Sequence, residues 1–435
     1  MTVAMILRLE RLVFYLFIFS IPFQTRVVLR SWGIGFNEWN ASFLYWTDLL
    51  ILTLLGFWLL RFLSQLTFYD ISLKVSWRKS LVFSNYDWFL IGFIAVSAIS
   101  IINAFNQALS FYQLLKLVEF SLLYFYLKSG GFGFGGLKTA FGILLASGFF
   151  QAVLAILQYV RQADLGLRFL GETLLNPDLS NVAIFLVNGE KIMRPYGTLP
   201  HPNVLALFLF LAVFIYYFFY IQRNKFLYSR FGLIFYSVLL FGFLLTFSRI
   251  IIFAWLVLVI LTLFQLYGVR RIVEARKLFL ITASTIVLFL VIFWPQVWAR
   301  LQISPQDEAI SLRGFYGKVA TFDKPFFGVG AGNFVNWFKE INPGLAQNLY
   351  QPVHNIYLLI FSETGILGLA MFLLFLIFPV RNYLKLKFTQ PFHFSFFIIF
   401  ASLLFFGLFD HFLWTLQQGQ IIFWLVLGLL ASMGL

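Results

Sequence analysis

The sequence of 435 residues contains no cysteine and few charged residues, which make up 11% of the chain. The absence of cysteine excludes disulfides, thiolate nucleophiles and metal sites with cysteine ligands. Soluble domains usually carry about 25% charged residues and about 45–50% apolar ones. In this chain 61% of the residues are hydrophobic, and phenylalanine alone occurs 60 times. A water-soluble enzyme is therefore excluded, and the composition indicates a polytopic membrane protein.

Long apolar runs recur along the whole chain, and a helix that crosses the bilayer needs roughly 20 such residues. Twelve runs are long enough, although Pro22 and Arg26 interrupt the first of them. The runs are residues 12–29, 43–63, 86–103, 109–128, 137–160, 203–221, 231–247, 250–267, 277–296, 355–380, 394–409 and 420–434. We therefore predict an all-α membrane protein with about twelve transmembrane helices.

The connections between these runs divide the chain into five regions. Residues 1–160 hold five predicted spans, 203–296 hold four, and 355–435 hold three. The remaining regions, 161–202 and 297–354, are two long loops. Because the other connectors are short, these loops are where binding and catalytic residues are expected.

The net charge of +14 would suggest a nucleic-acid partner if the protein were soluble. With the amino terminus inside the cell, the inner segments hold more than half of the 31 lysines and arginines. Cytoplasmic loops of membrane proteins carry such an excess of basic residues. The charge therefore predicts topology, with both termini cytoplasmic and both long loops outside, and no nucleic-acid partner is needed.

Unusual polar residues concentrate in four of the predicted outer segments. The segments are Met193–Asn203, Phe247–Arg249, Arg313–Phe334 and Pro352–Asn355. Arg194, Arg249, Arg313 and His354 are the candidates for chemistry within them. Arginine stays protonated and binds phosphate oxygens through two hydrogen bonds at once. Several arginines near the headgroup plane would be suited to neutralise a lipid-linked diphosphate.

These residues also have structural interpretations. Arg194 and Arg313 could be solvated loop charges, and Arg249 could extend towards the lipid headgroups. His201 could cap the next helix, with Pro202 at its first position. A metal site is also conceivable, with the ligands His201, His354, Asp410 and His411. No outer acidic cluster suggests magnesium, and we expect neither a metal nor a cofactor.

Two further patterns have simpler explanations. Residues 131–136 match G-x-G-x-x-G, but no strand precedes them, so a dinucleotide site is rejected. Lys116 and Glu119 lie three residues apart in one predicted helix, and we expect them to pair with each other.

Over residues 190–420 the sequence resembles the O-antigen ligase and O-antigen polymerase (WaaL/Wzy-like) family of bacterial glycosyltransferases. His354 and Asn355, followed after nine residues by Gly365 and then Gly368, match the ligase signature H-[NSQ]-x9-G-x-x-[GTY]. Residues 194–203 resemble the R-x-x-G-T-x-x-H-P-N segment of the family. Further matches are Ser248-Arg249, Phe327–Gly330 and Asp410–Thr415.

The resemblance implies a GT-C-like helical fold and a metal-independent, inverting transfer of a glycan. The donor would be an undecaprenyl-diphosphate-linked glycan, and the active site would lie on the periplasmic face of the bacterial inner membrane. By position, the resemblance assigns the donor diphosphate to Arg249 and Arg313, with help from Arg194. It assigns His354 to the acceptor hydroxyl, as the group that orients or deprotonates it. Further substrate-binding positions are His201, Asn203, Asn355, Asp410 and His411.

The sequence leaves the acceptor open. A ligase is favoured because the histidine signature is intact, and its acceptor would be a lipid A core. A polymerase of O-antigen or exopolysaccharide would instead use another glycan, and a protein O-oligosaccharyltransferase would use a protein. A secondary transporter or a lipid-linked glycan flippase is the alternative from another class, since Asp48, Glu119 and Glu363 are acids within predicted spans.

Overall fold

A computed structural model describes residues 3–32, 36–67, 83–130, 133–180, 182–302, 308–320, 325–385 and 391–433. Most of these residues are helical. The helices are α1 (Val3–Ser20), α2 (Trp46–Thr67), α3 (Asp87–Ser100), α4 (Gln107–Lys128), α5 (Gly133–Arg161), α6 (Pro202–Ile221), α7 (Arg230–Leu244), α8 (Arg249–Gly268), α9 (Ile272–Leu301), α10 (Glu308–Val319), α11 (Phe334–Ile341), α12 (Ile356–Lys385), α13 (Pro391–Gly407), α14 (Phe412–Thr415) and α15 (Gln417–Met433). Two antiparallel hairpins are formed by β1 (Arg26–Ser31) with β2 (Ala41–Tyr45) and by β3 (Ile184–Val187) with β4 (Glu190–Met193).

Among the described residues, 7 helices are long and apolar enough to cross a membrane, judged by length and composition. They are α2, α4, α5, α6, α8, α9 and α12, and α3, α7, α13 and α15 are shorter apolar helices. A mostly helical polytopic membrane protein is thereby confirmed, while twelve as the number of spans stays a prediction. Every predicted run after the first coincides with a helix to within a few residues.

The first predicted run, 12–29, is wrong in its second half. Helix α1 begins earlier, at Val3, and ends at Ser20, where Phe23 donates a backbone hydrogen bond to the carbonyl of Ser20 at 3.0 Å. Pro22 has no N–H and cannot continue the helical ladder. The backbone groups of β1 are satisfied by β2 instead, with Arg26 opposite Tyr45.

Helix α6 is the central helix of the bundle. Of the apolar stretch within this helix, 94% is buried inside the protein, as expected for a helix that is apolar on all sides. It packs against α5, α7, α8 and α15. The amino-terminal end of α6 carries His201, Pro202 and Asn203, so this buried helix fixes their position.

Helix α12 is kinked at Gly365, whose φ of 72° is the left-handed conformation that favours glycine. A Cβ at this position would lie 2.1 Å from the carbonyl oxygen of Phe326. The glycine-rich segment that contains Gly328 and Gly330 packs against the kink. Its backbone N–H groups at Val329 and Gly330 donate to carbonyls of α12 at 2.9 and 3.0 Å. The glycines therefore serve a close contact between two backbone segments.

The predicted pairing of Lys116 with Glu119 is confirmed, at 2.9 Å between Nζ and Oε2. A second carboxylate, that of Asp48 on α2, lies 2.6 Å from the same Nζ. The ion group therefore ties α2 to α4. Residues 133–136 of the rejected dinucleotide pattern form the start of α5.

Candidate functional site

Segments that are far apart in sequence meet at one end of the helix bundle. They are residues 194–203 before and at the start of α6, 246–249 before α8, 354–355 before α12, and 408–415 between α13 and α15. All of them fall on the side that the charge pattern predicts to be outside. The structure therefore brings most of the predicted site residues into one region.

Arg194 follows directly after β4 and links three of these segments. Its side chain is buried, with 6% exposed. Its Nε donates to the carbonyl of Thr246 at 2.8 Å, and its Nη2 donates to Oδ1 of Asn203 at 2.8 Å. The hydroxyl of Ser248 donates to the same Oδ1 at 3.2 Å. Arg194 is therefore a fixed, buried cation and not a solvated loop charge.

Two more guanidinium groups lie near Arg194. Arg249 is the first residue of α8, and its Nη1 donates to the backbone carbonyl of Arg300 at 3.3 Å. Burial, followed by the neighbouring charge of Arg300, lowers the pKa of Arg194 to about 9, and the charge of Arg249 contributes. Among the described residues, no carboxylate lies within 4.0 Å of Arg194 or Arg249. An anion bound here would offset the cost of burying the charge of Arg194 and the repulsion between the guanidinium groups.

Two glutamines of α5 hold the segment between Arg194 and His201. Oε1 of Gln158 accepts from the backbone N–H groups of Tyr196 and Gly197 at 3.0 and 2.8 Å. Oε1 of Gln151 accepts from the N–H of Thr198 at 2.9 Å. At Gly197, which has a φ of 60°, a Cβ would lie 2.3 Å from Gln151 Oε1. The hydroxyl of Thr198 accepts from Nε2 of Gln151 and donates to the carbonyl of Pro22, both at 2.9 Å, so the glycine and the threonine of the R-x-x-G-T pattern have a structural explanation.

A pair of histidines lies next to the arginines. The ring centroids of His354 and His411 are 5.0 Å apart. The carboxylate of Asp410 accepts from the backbone N–H of His411 at 2.8 Å and from Nδ2 of Asn203 at 2.8 Å. Since Oδ1 of Asn203 binds Arg194, one amide bridges the arginine and the aspartate. Asn203 therefore fixes the spacing between the cationic cluster and the histidine pair.

The histidines determine the ionisation of Asp410. Burial alone would raise the pKa of its carboxyl group, but His411, His354 and His201, with the hydrogen bond from Asn203, lower that pKa to about 2. Asp410 is therefore ionised at all ordinary pH values.

Potential metal-ligand atoms of His354, Asp410 and His411 all lie within 4.8 Å of one another. The structure thus brings together three of the four residues of the conceivable metal site, and imidazole and carboxylate groups suit a divalent transition metal. The expectation that no metal is required stays a prediction.

His201 and Asn355 make contacts that are structural. Nδ1 of His201 accepts from the N–H of Asn203 at 3.2 Å and so caps α6, with Pro202 at the first helical position. Oδ1 of Asn355 accepts from the N–H groups of Tyr357 and Leu358 at 2.9 and 3.0 Å and caps α12. Its Nδ2 donates to the carbonyl of Leu408 at 3.2 Å. Asn355 thereby positions the neighbouring His354 beside the loop that carries Asp410.

Arg313 lies in α10, and its side chain is outside the described residues. Arg300 and Trp39, which lie near the site, were not predicted from the sequence, and Thr415 was predicted only as the last residue of the Asp410–Thr415 match. Arg300 ends an apolar run next to Trp298, a pattern typical of an anchor at the membrane interface. Thr415 and Trp39 carry no pattern that sets them apart from other residues of their segments.

The family model described as O-antigen ligase (Wzy_C) matches residues 234–373. Over this segment the chain is similar to that family. The matched segment runs from α7 into α12 and contains Arg249, His354 and Gly365. Arg194 and Asp410 lie on either side of the matched residues. No curated protein matches the chain.

Proposed function

We propose that the chain is an O-antigen ligase-type glycosyltransferase of the bacterial inner membrane. It transfers a glycan from undecaprenyl diphosphate to an acceptor hydroxyl on the periplasmic face. One observation carries this proposal. Asn203 hydrogen-bonds Arg194 at 2.8 Å on one side and Asp410 at 2.8 Å on the other, so an anion-binding cluster lies beside a pair of histidines.

The arginines bind the donor diphosphate. Within the described part of the chain, Arg194 and Arg249 have no carboxylate within 4.0 Å, and Arg300 lies next to them. Arg313 is a further predicted ligand, by its position in the family pattern. In the transition state, negative charge grows on the departing diphosphate, so fixed cations stabilise the transition state more than the ground state. In this proposal the arginines provide the charge neutralisation that a metal provides in other glycosyltransferases.

His354 acts on the acceptor. Its imidazole takes the proton of the acceptor hydroxyl while the oxygen forms a bond to the anomeric carbon of the donor sugar. The bond from that carbon to the diphosphate oxygen breaks in the same step, and the electron pair leaves with the diphosphate. A positioned base of this kind contributes about 10²–10⁴-fold to the rate. Because there is one displacement, the configuration at the carbon is inverted.

Asp410 and His411 support this step. The aspartate carboxylate stabilises positive charge on the imidazoles, because its own pKa is held at about 2 by them. Nδ1 of His411 lies 2.6 Å from the hydroxyl of Thr415, which fixes the ring. We therefore expect His354 to carry the proton and Asp410 with His411 to position and stabilise it.

The experiment is turnover by purified protein in lipid nanodiscs, with a defined undecaprenyl-diphosphate glycan and a lipid A core. Wild type should yield the ligated product, and His354→Ala should reduce the rate by about 10²-fold or more. Arg276→Ala, at an exposed position at the start of α9, is the matched control and should retain full activity. Full activity of His354→Ala, with normal insertion, would refute the proposed mechanism.

A deletion strain separates the ligase from the polymerase. Loss of a ligase leaves free lipid-linked polymer, whereas loss of a polymerase leaves single glycan repeats on the surface. If the deletion strain instead lacks glycosylated protein, the chain is a protein O-oligosaccharyltransferase.

A further inference from the structure

A cavity with an empty volume of about 1010 Å³, counting its opening to solvent, lies beside the histidine pair. Its lining residues come from 38–120 and from 331–424. Among the described residues, none of the lining comes from 121–330, the part of the chain that holds Arg194, Arg249 and Arg300. The cavity is therefore built by segments other than those that carry the three arginines, about half of it by the amino-terminal third of the chain.

The cavity is connected to the histidines by two lining residues. The hydroxyl of Thr415 lies 2.6 Å from Nδ1 of His411. The ring of Trp39 meets the ring of His411 edge-on, with 5.2 Å between centroids. The ring centroid of His354 lies 5.0 Å from that of His411. A molecule in this cavity would therefore lie next to residues that contact His411.

Aromatic rings and uncharged polar groups alternate in the lining. These residues are Trp39, Tyr45, Tyr112, Gln113, Trp414, Thr415, Gln420 and Trp424. Flat apolar rings suit the C–H faces of a pyranose, and amides and hydroxyls suit its hydroxyl groups. Within the described part of the chain, the side chain of Gln113 makes no hydrogen bond. Its amide is thus available to a bound saccharide.

The charged groups of the lining are already paired or are acidic. Lys116 binds the carboxylates of Asp48 and Glu119 at 2.6 and 2.9 Å. Glu38 binds Arg26 at 2.5 Å. Glu363 accepts from Nε1 of Trp414 at 3.4 Å, and among the described residues no cation lies within 4.0 Å of it. An acidic sugar would therefore find no available cation in the described part of the lining.

We infer that this cavity binds the acceptor saccharide and selects a neutral sugar over one that carries a uronic acid. The role as acceptor site rests on the proposed function, whereas the preference for neutral saccharides rests on the lining alone. The arginines then hold the donor and the cavity holds the acceptor. The amino-terminal third of the chain and residues 331–424 together set the specificity for the acceptor.

The test uses two soluble trisaccharides of equal length, one neutral and one with a terminal uronic acid. Binding to the purified chain in nanodiscs, without any donor, is measured by saturation-transfer NMR titration. The neutral compound should bind at least about tenfold more tightly, because a uronate carboxylate that enters the cavity loses water without gaining a cation. Gln113→Arg adds a cation to the lining and should reduce this ratio about tenfold. Gln347→Arg makes the same charge change at an exposed position and should leave the ratio unchanged.

Equal binding of the two trisaccharides to wild type would overturn the inference, and so would binding of neither. Identical effects of Gln113→Arg and Gln347→Arg would overturn it as well. Since no donor is present, these outcomes do not depend on the transfer reaction. Selective binding of the neutral trisaccharide by a protein that transfers nothing would refute the proposed function and leave the saccharide site intact.

Discussion

Asp410→Asn tests whether the histidines and Asp410 form one electrostatic unit. The variant keeps the shape of the side chain and removes its charge. In the wild type, the carboxylate of Asp410 accepts from the N–H of His411 and from Nδ2 of Asn203, both at 2.8 Å. An asparagine presents one acceptor oxygen and one NH₂ donor, so one of these two hydrogen bonds is lost.

The expected loss of stability follows from the pKa of Asp410, which is about 2 in the folded protein against an ordinary value of 3.8. Each pKa unit corresponds to about 1.4 kcal/mol, so the charge stabilises the fold by roughly 1–2 kcal/mol after allowance for screening by solvent. A carboxylate with a lowered pKa gives this stabilisation in full above its unfolded pKa. The stabilisation is lost as the pH falls from about 4 towards 2.

The assay is thermal unfolding in detergent at a fixed scan rate, from pH 3 to pH 6. At pH 6 the midpoint of Asp410→Asn should lie below that of wild type by roughly 1–4 °C, and the gap should narrow below pH 4. The matched control is Asp178→Asn, since this side chain is 83% exposed and its midpoint should equal that of wild type. A gap that does not change with pH, or a gap of equal size in the control, would refute the electrostatic interpretation.

Three further outcomes are expected. Gly365→Ala should lower the midpoint of thermal unfolding markedly, because its Cβ would lie 2.1 Å from the carbonyl oxygen of Phe326. Gly56→Ala is the control and should leave the midpoint unchanged, because a Cβ there would have nothing within 4 Å. Equal midpoints of the two variants would contradict the role of the kink. Glycan transfer by the wild type should continue at an unchanged rate in a chelator such as EDTA. If the chelator instead inactivates the protein and added zinc restores the activity, His354, Asp410 and His411 form a metal site. Arg194→Lys should weaken binding of the donor about tenfold, because an ammonium group cannot keep both hydrogen bonds of the guanidinium group. Unchanged binding would show that Arg194 is not part of the donor site.

The fold was largely predictable from the sequence because a spanning helix leaves a strong signal, a continuous apolar run of about 20 residues. The exception is the first run, where Arg26 and the residues after it form a strand instead. Apolar composition alone does not distinguish a helix from a short strand. Pro22 marks the break, but the partner strand that satisfies the backbone of β1 lies beyond residue 40 and leaves no local signal.

The site was predictable where a residue is unusual for its position. Arg194 and His354 lie in outer segments that lead into apolar runs and match patterns of a family, and the structure places both near Asn203 or Asp410. Arg300 was not predicted because an arginine at the end of a span is ordinary. Trp39 was missed for another reason, since its contact with His411 joins residues that are far apart in sequence. Such a juxtaposition follows from packing alone.

The most direct test of the central claim is the equilibrium binding of undecaprenyl diphosphate, without a glycan, to the purified chain. Loss of one charge-assisted hydrogen bond costs about 1.5–3 kcal/mol, so Arg249→Ala should bind at least about tenfold more weakly than wild type. Arg276→Ala should bind as wild type does. Wild-type affinity in Arg249→Ala would contradict the claim that the arginine cluster holds the diphosphate.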